Sequence, residues 1–261
     1  MITSTSTQIE FSGIQFPVSR PHCFGLVIDL PVGNENEPGF DYLHEVLLSN
    51  DNRDSFLDLI ESEGLIVCKN LHTEATSYRK VRGKSSHGKL SQAEYYHHDG
   101  CSCPTKPRVV EIRMPYQLVA RNVHTAVARF PDVVKSQLVA LPERLRKTQE
   151  LSEFHRSFSG SPDSYPPVDQ WDKIQGRITR LVRREMDAES CRSYFREVDS
   201  LAGAYVLPWE MGESRLMVNN ADDLATTMQH RRAYQKPKTA NEQNESLVKR
   251  WTEEALSLIH I

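Results

Sequence analysis

The sequence lacks long hydrophobic runs and has no excess of either charge. No apolar stretch approaches the roughly 20 residues that a membrane-spanning helix needs. The 32 Lys and Arg residues are mixed with 35 Asp and Glu residues, which gives a formal net charge of -3 and leaves no basic stripe. We therefore expect neither a membrane nor a nucleic acid as a partner. The 38% of hydrophobic and 26% of charged residues are typical of a globular protein and argue against disorder.

Cysteines are few, with five in 261 residues. Their odd number and irregular spacing predict free thiols rather than a disulfide framework. Cys101 and Cys103 form one Cys-x-Cys pair, which is a weak zinc signal because no second pair accompanies it. The segment Met1–Glu10 lacks the basic start and apolar middle of a signal peptide, so we expect a cytoplasmic location.

Short strand patterns surround a few helical patterns in the middle of the chain. Helices are predicted from Pro131, from the apolar spacing of Trp171 to Val182, across Tyr42–Ile60 with a break, and over Glu245–Ser257. This arrangement favours a mainly β sandwich with flanking helices over a parallel βαβ fold. We expect one domain spanning residues 1–261, with a loose N-terminus at 1–12 and mobile loops at 79–92 and 236–244. The predicted strands are Phe24–Leu30, Gly64–Cys68, Glu94–Asp99, Arg108–Met114, Asn122–Ala128, Ala204–Leu207, Arg215–Val218 and Thr226–Gln229.

The segment His97-His98-Asp99 carries the strongest chemical signal. Residues two apart in a strand point to the same face, so His97 and Asp99 can approach one metal ion while His98 points away. Two histidines and one carboxylate form the facial triad of non-haem iron(II) oxygenases, which leaves positions open for cosubstrate and O2. His230, which follows His97 by 133 positions (230 − 97), is the candidate third ligand. Without the other ligands, His97 and Asp99 could also be a surface hydrogen-bonded pair.

Several segments in order along the chain resemble the taurine dioxygenase/clavaminate synthase-like family of iron(II)/2-oxoglutarate oxygenases. The resemblance runs from about Gly64 to the C-terminus. Its pieces are His97-His98-Asp99-Gly100, Arg121-Asn122-Val123-His124-Thr125, Trp209-Glu210-Met211-Gly212 with Val218-Asn219-Asn220, His230-Arg231-Arg232-Ala233-Tyr234, and Lys249-Arg250-Trp251.

The resemblance implies a double-stranded β-helix, the cupin-like jelly roll. It also implies Fe(II) held by His97, Asp99 and His230, with 2-oxoglutarate as cosubstrate and O2 as oxidant. The Thr125 hydroxyl and the Arg250 guanidinium would then bind 2-oxoglutarate carboxylates, because an arginine can hold a carboxylate through two hydrogen bonds. Arg250 follows His230 by 20 positions, farther than is usual in the family, so Arg232 and Lys238 are alternative anchors.

The predicted activity is hydroxylation, desaturation or cyclisation of a small polar metabolite, with an amino acid or a derivative as the leading class. A role in specialised-metabolite biosynthesis is compatible with it. The substrate class follows from family analogy alone. Two other functions fit the same residues: a zinc hydrolase that activates water at the same His/Asp/His site, and a non-catalytic jelly-roll binding protein. No pattern in the sequence indicates an oligomeric state.

Overall fold

A computed structural model describes residues 7–32, 40–71, 79–80, 96–98, 107–114, 123–147, 168–208, 210, 212–219, 226–234 and 248–250. These residues form two β-sheets and a group of helices. The strands are β1 (Thr7–Phe11), β2 (Ile14–Ser19), β3 (Leu26–Asp29), β4 (Leu65–Lys69), β5 (Arg79–Lys80), β6 (Val109–Met114), β7 (Val123–Arg129), β8 (Tyr205–Pro208), β9 (Glu213–Val218), β10 (Met228–Tyr234) and β11 (Val248–Arg250). The helices are α1 (Arg53–Glu63), α2 (Phe130–Ala140), α3 (Glu143–Arg146), α4 (Val168–Glu185) and α5 (Ala188–Leu201), with a π-helical turn at Leu43–Leu47.

The N-terminal strands form a hairpin. β1 pairs antiparallel with β2 through the two-residue turn Ser12-Gly13, in which both residues have positive φ, 50° and 76°. Turns with two positive φ angles match the twist of the strands that they join, and glycine accepts this conformation without strain. The prediction of a loose N-terminus over residues 1–12 is therefore wrong for Thr7–Phe11.

The larger sheet has eight strands in the order β1-β2-β3-β4-β9-β6-β11-β5. Its one parallel pair among the described strands is β3 with β4, and the crossover between them contains the π-helical turn and α1. The remaining described pairs in this sheet are antiparallel. Gly212 precedes β9 with φ at 67°, and a Cβ there would lie 2.6 Å from the Leu71 carbonyl oxygen, so a side chain is excluded.

The smaller sheet has the order β10-β7-β8, with antiparallel pairing throughout. One face lies toward the larger sheet, since Val127 and Met228 belong to the core that extends to β4, β9 and α1. The other face lies against the helices, since Ala126 and Ala128 pack in a second core with residues of α2, α4 and α5. The described residues thus form a sandwich of two sheets with helices outside the smaller one.

A buried ion pair lies between the two sheets. Arg215 of β9 is fully buried, and its guanidinium contacts the Glu213 carboxylate and donates to the backbone carbonyls of Leu207 and Pro208 in β8. Burial lowers the pKa of Arg215, an effect that the negative charge of Glu213 opposes. An arginine inside a sandwich core is tolerated because its donors are satisfied by a carboxylate and two carbonyls.

Most of the predicted elements are confirmed, but two are not. α2 has proline in its first turn and α4 covers the predicted amphipathic segment, as expected. Val248–Arg250 forms a strand rather than part of a C-terminal helix, and Arg79–Lys80 pairs with it rather than lying in a loop. Helix α5 was not predicted. Residues 236–244 and the rest of 79–92 lie outside the described residues.

The mainly β architecture with flanking helices agrees with the prediction, whereas the double-stranded β-helix connectivity remains a prediction. Of the described helices, none has the length and apolar character needed to cross a membrane. Cys23, Cys68 and Cys191 are free thiols, as expected, and the Cys101 and Cys103 pair lies outside the described residues.

Candidate metal centre

The fold brings together two histidines that are far apart in the sequence. His97 forms an isolated antiparallel bridge with His230 at the edge of the smaller sheet. The His97 amide donates to the His230 carbonyl at 3.1 Å, and the His230 amide donates to the His97 carbonyl at 3.4 Å. Residues that exchange both backbone hydrogen bonds in an antiparallel pair present their side chains on the same face.

The two imidazoles lie on the face of the smaller sheet toward the larger one. Tyr96 and His98, the neighbours of His97, both pack on the opposite face, in or against the helical core. The strand alternation predicted for His97 and His98 is therefore present. His230 is 4% exposed and His97 is partly exposed, so the pair lies at the rim of the space between the sheets.

The ring geometry suits two ligands of one ion. The ring centres of His97 and His230 are 4.5 Å apart and their planes are inclined by 50°. Two imidazoles bound at right angles, with a metal–nitrogen distance of about 2.1 Å as in zinc sites, would have ring centres roughly 4.6 Å apart. Imidazole is also a preferred ligand of iron. The donor pair therefore fits a divalent transition metal.

Asp99, which supplies the carboxylate of the predicted triad, lies outside the described residues. Within the described ranges, no three His, Cys, Asp or Glu side chains gather in a way that could hold a metal. Asp99 follows His97 by two positions, so in a continued strand it would share the face of the His97 imidazole. It stays the predicted third ligand.

Thr125 lies close to the histidine pair in the smaller sheet. It is 1% exposed, and the strand register places it two residues from Val127, the partner of His230. Diagonal neighbours of this kind are roughly 7–8 Å apart and share a face. Arg232 is the direct strand partner of Thr125. A short dicarboxylate could reach from a metal at His230 to Thr125.

The other predicted anchor, Arg250, belongs to the larger sheet. It pairs in register with Glu111 of β6, and the neighbouring Lys249 pairs with Ile112. Glu111 accepts a hydrogen bond from the Ser214 hydroxyl at 2.7 Å and contacts His44 of the π-helical turn. Lys238 lies outside the described residues. The choice among Arg250, Arg232 and Lys238 stays a prediction.

A charged cluster that the sequence did not reveal lies behind the histidine pair, on the helical side of the smaller sheet. In this Asp199 cluster, the Asp199 carboxylate of α5 accepts a hydrogen bond from the Tyr96 hydroxyl at 2.8 Å and from Arg231 Nε at 2.7 Å, and also contacts Arg231 Nη2. Burial and the charge of Asp199 raise the pKa of Tyr96 well above its usual value. Burial lowers the pKa of Arg231, but the hydrogen bond of Arg231 to Asp199 outweighs burial, so the pKa of Arg231 is raised.

A second polar group lies beside the Asp199 cluster. Gln229 Nε2 lies 3.2 Å from His98 Nδ1, and Gln229 also exchanges hydrogen bonds of 2.5 Å with Gln175 of α4. Gln175 in turn donates to the Gln137 side-chain oxygen of α2 at 3.3 Å. We call these four residues the glutamine network. All four side chains are at most 2% exposed. Their hydrogen bonds link α2 and α4 to the two segments that carry His97 and His230.

Comparison with known proteins gives only distant likenesses. No protein-family model matches the chain. No curated protein matches it either. Among solved structures, PvcB from an isonitrile synthetic pathway matches with a TM-score of 0.44 and 13% identity over 96% of this chain and 93% of PvcB. PvcB is an iron, α-ketoglutarate-dependent oxygenase.

Two other solved structures are similarly distant. AAD-2, solved with Mn(II) and N-oxalylglycine, matches with a TM-score of 0.42 and 9% identity over 90% of this chain and 96% of AAD-2. A Burkholderia xenovorans protein, described as a candidate α-ketoglutarate-dependent 2,4-D dioxygenase, matches with a TM-score of 0.41 and 11% identity over 86% of this chain and 93% of that protein. At such identities and TM-scores the likeness does not assign this chain to a family.

Proposed function

We propose that this protein is an Fe(II)/2-oxoglutarate-dependent oxygenase that oxidises a small polar metabolite. The observation that carries the proposal is the pairing of His97 with His230. These residues are 133 positions apart, yet they are strand partners with ring centres 4.5 Å apart. Two imidazoles that lie side by side at the rim of the sandwich supply the two histidine ligands that a facial triad needs.

The three metal-binding side chains have separate tasks. His97 and His230 would each supply an imidazole nitrogen, and their backbone bridge puts the two side chains on the same face. Asp99 would supply the carboxylate that completes the facial triad, the ligand set typical of non-haem iron(II). Bound Fe(II) supplies the redox chemistry by which O2 and 2-oxoglutarate oxidise an unactivated C–H bond. The protein orients the reactants and excludes water.

The cosubstrate would lie between the metal and a cation on the protein. Its 1,2-oxo-acid end would face the histidine pair, and the buried Thr125 hydroxyl would donate a hydrogen bond to a carboxylate oxygen. A cation would hold the far carboxylate, and the candidates are Arg250, Arg232 and Lys238. The net reaction consumes O2, 2-oxoglutarate and the substrate R–H, and yields succinate, CO2 and R–OH.

The two sheets would be the halves of a double-stranded β-helix within one domain over residues 1–261, with the metal at the open end. The substrate would be an amino acid or a derivative, a class that rests on the resemblance of the motifs. Desaturation or cyclisation would use the same ligands as hydroxylation. We propose a cytoplasmic location.

An anaerobic titration tests the proposal. Purified protein would be mixed with Fe(II) and then 2-oxoglutarate under argon, and the visible spectrum recorded. We expect a weak metal-to-ligand charge-transfer band that disappears in His97→Ala and His230→Ala. His22→Ala is the matched control, because this histidine packs on Tyr205 and Phe24, and it should keep the band.

The same titration separates the rival functions. A zinc hydrolase would bind a metal through the two histidines but show no response to 2-oxoglutarate. A non-catalytic binding protein would show no tight metal binding. If the band forms, metabolite mixtures incubated with 2-oxoglutarate and O2 should be screened for products that carry one added oxygen. A band that survives both histidine substitutions would contradict the proposal.

A further inference from the structure

We infer that Asp199 is a positioning residue for the metal centre, because it holds the segment carrying His97 against the strand carrying His230. The inference rests on the proposed function, since it assigns a task to Asp199 only if the two histidines bind one ion. Asp199 contacts neither imidazole in the described structure. It acts through their chain neighbours.

The geometry of the Asp199 cluster joins the two chain segments. Tyr96 precedes His97 and Arg231 follows His230, and both side chains reach the same carboxylate on α5. Arg231 also lies over the rings of Tyr96 at 5.9 Å and Phe195 at 5.5 Å. The Asp199 side chain is 12% exposed and that of Arg231 is 4% exposed, so their interaction is little weakened by water.

The Asp199 cluster lies on the helical face of the smaller sheet, opposite the face of the two imidazoles. Side chains alternate between the faces of a strand, so residues adjacent to the two histidines must lie on the opposite face. A one-residue slip of the His97 segment would exchange the faces and turn its imidazole toward the helices. The Tyr96–Asp199–Arg231 contacts exist in only one register and therefore hold the His97 ring on the side of the His230 ring.

The backbone alone gives this register little support. In the described residues, the segment 96–98 is held to β10 by one isolated bridge with its two hydrogen bonds. Side-chain contacts of His98 with Gln229 and of the His97 ring with the His230 ring join the same two segments. The Asp199 carboxylate accepts hydrogen bonds from Tyr96 and Arg231. Hydrogen bonds to a charged group of this kind are roughly twice as strong as neutral ones.

Binding of cobalt(II) tests the inference independently of activity. The visible bands of the bound ion report the number and the geometry of its ligands. Asp199→Asn keeps the shape of the side chain and removes its charge. We expect it to weaken Co(II) binding by about 10-fold, as found for groups that orient metal ligands, and to change the cobalt spectrum. Tyr96→Phe removes one hydrogen bond to the carboxylate and keeps the charge pair, so we expect roughly a 3-fold loss.

The matched control is Asp187→Ala in the same helix. Asp187 caps the N-terminus of α5 by accepting hydrogen bonds from the amides of Glu189 and Ser190, at 2.8 and 2.9 Å. Its loss destabilises α5 without touching the Asp199 cluster. We therefore expect a lower melting temperature with unchanged Co(II) affinity and an unchanged cobalt spectrum.

The outcomes are distinct. If Asp199→Asn and Tyr96→Phe bind Co(II) as the unmodified protein does, while His97→Ala does not, the positioning role is refuted and the metal site stands. If Asp187→Ala shifts affinity as much as Asp199→Asn, the effect is general destabilisation and the inference fails. If the unmodified protein shows no Co(II) bands that depend on His97 and His230, the proposed function fails and the inference with it. Should Asp199→Asn not fold, Tyr96→Phe decides the matter alone.

Discussion

His44 gives the sharpest prediction about stability, because its imidazole lies between two carboxylates. Its Nδ1 is 2.9 Å from an Asp41 carboxylate oxygen and its Nε2 is 3.3 Å from a Glu111 carboxylate oxygen. Burial lowers the pKa of His44, but the hydrogen bonds to Asp41 and Glu111 and their charges outweigh burial and raise it to about 9, from a usual value of 6.5. The ion pair therefore ties the π-helical turn to the larger sheet over most of the neutral range.

The magnitude follows from the difference between the two pKa values. A gap of 9 − 6.5 corresponds to about 3 kcal/mol of unfolding free energy, and the 23% exposure of the side chain reduces this to roughly 2–3 kcal/mol. Below pH 6.5 both the folded and unfolded states carry the proton, so the contribution is complete. It is lost as the pH rises from 6.5 through 9, where only the folded state is still protonated.

Urea unfolding at pH 6.0 and pH 9.5 measures the effect. We expect His44→Gln to lower the free energy of unfolding by roughly 2–3 kcal/mol more at pH 6.0 than at pH 9.5. His22→Gln is the control, because burial lowers the pKa of His22, so its loss cannot reproduce a stabilisation that disappears in alkali. An equal effect of His44→Gln at both pH values would refute the reasoning.

Three further predictions concern the core, a turn and the cosubstrate. Arg215→Met leaves Glu213 buried without its cation and should lower the free energy of unfolding by about 3–5 kcal/mol in urea titrations, so a loss below 1 kcal/mol would contradict the buried pair. Gly212→Ala should cost at least about 2 kcal/mol because of its positive φ and a backbone carbonyl in the way. Gly176→Ala, in open space on α4, should be neutral or slightly stabilising in the same assay. Arg250→Ala should raise the KM for 2-oxoglutarate at unchanged iron content, and a normal KM would move the anchor to another cation.

Local patterns predicted the parts of the fold that depend on local physics. Amphipathic spacing was sufficient for α4, and alternation was sufficient to separate His97 from His98. Helix α5 carries a comparable signal. Asp187 is a strong N-cap residue, and the buried side chains at 191, 194, 195 and 198 follow helical spacing.

Other features depend on contacts between distant segments, and local patterns cannot predict them. The segment Val248–Arg250 has the composition of a solvated helix, yet it pairs with β6 because the larger sheet offers an edge there. The Asp199 cluster joins three elements separated by up to 135 positions (231 − 96). Nothing near Asp199 in the sequence distinguishes it from an exposed helical carboxylate.

A crystal structure with Mn(II), recorded at a wavelength that reveals the anomalous scattering of manganese, tests the central claim most directly. We expect one strong anomalous peak within about 2.0–2.3 Å of an imidazole nitrogen of His97, an imidazole nitrogen of His230 and a carboxylate oxygen of Asp99. A metal bound elsewhere, or a His230 ring turned away from the His97 and Asp99 pair, would contradict the proposed centre.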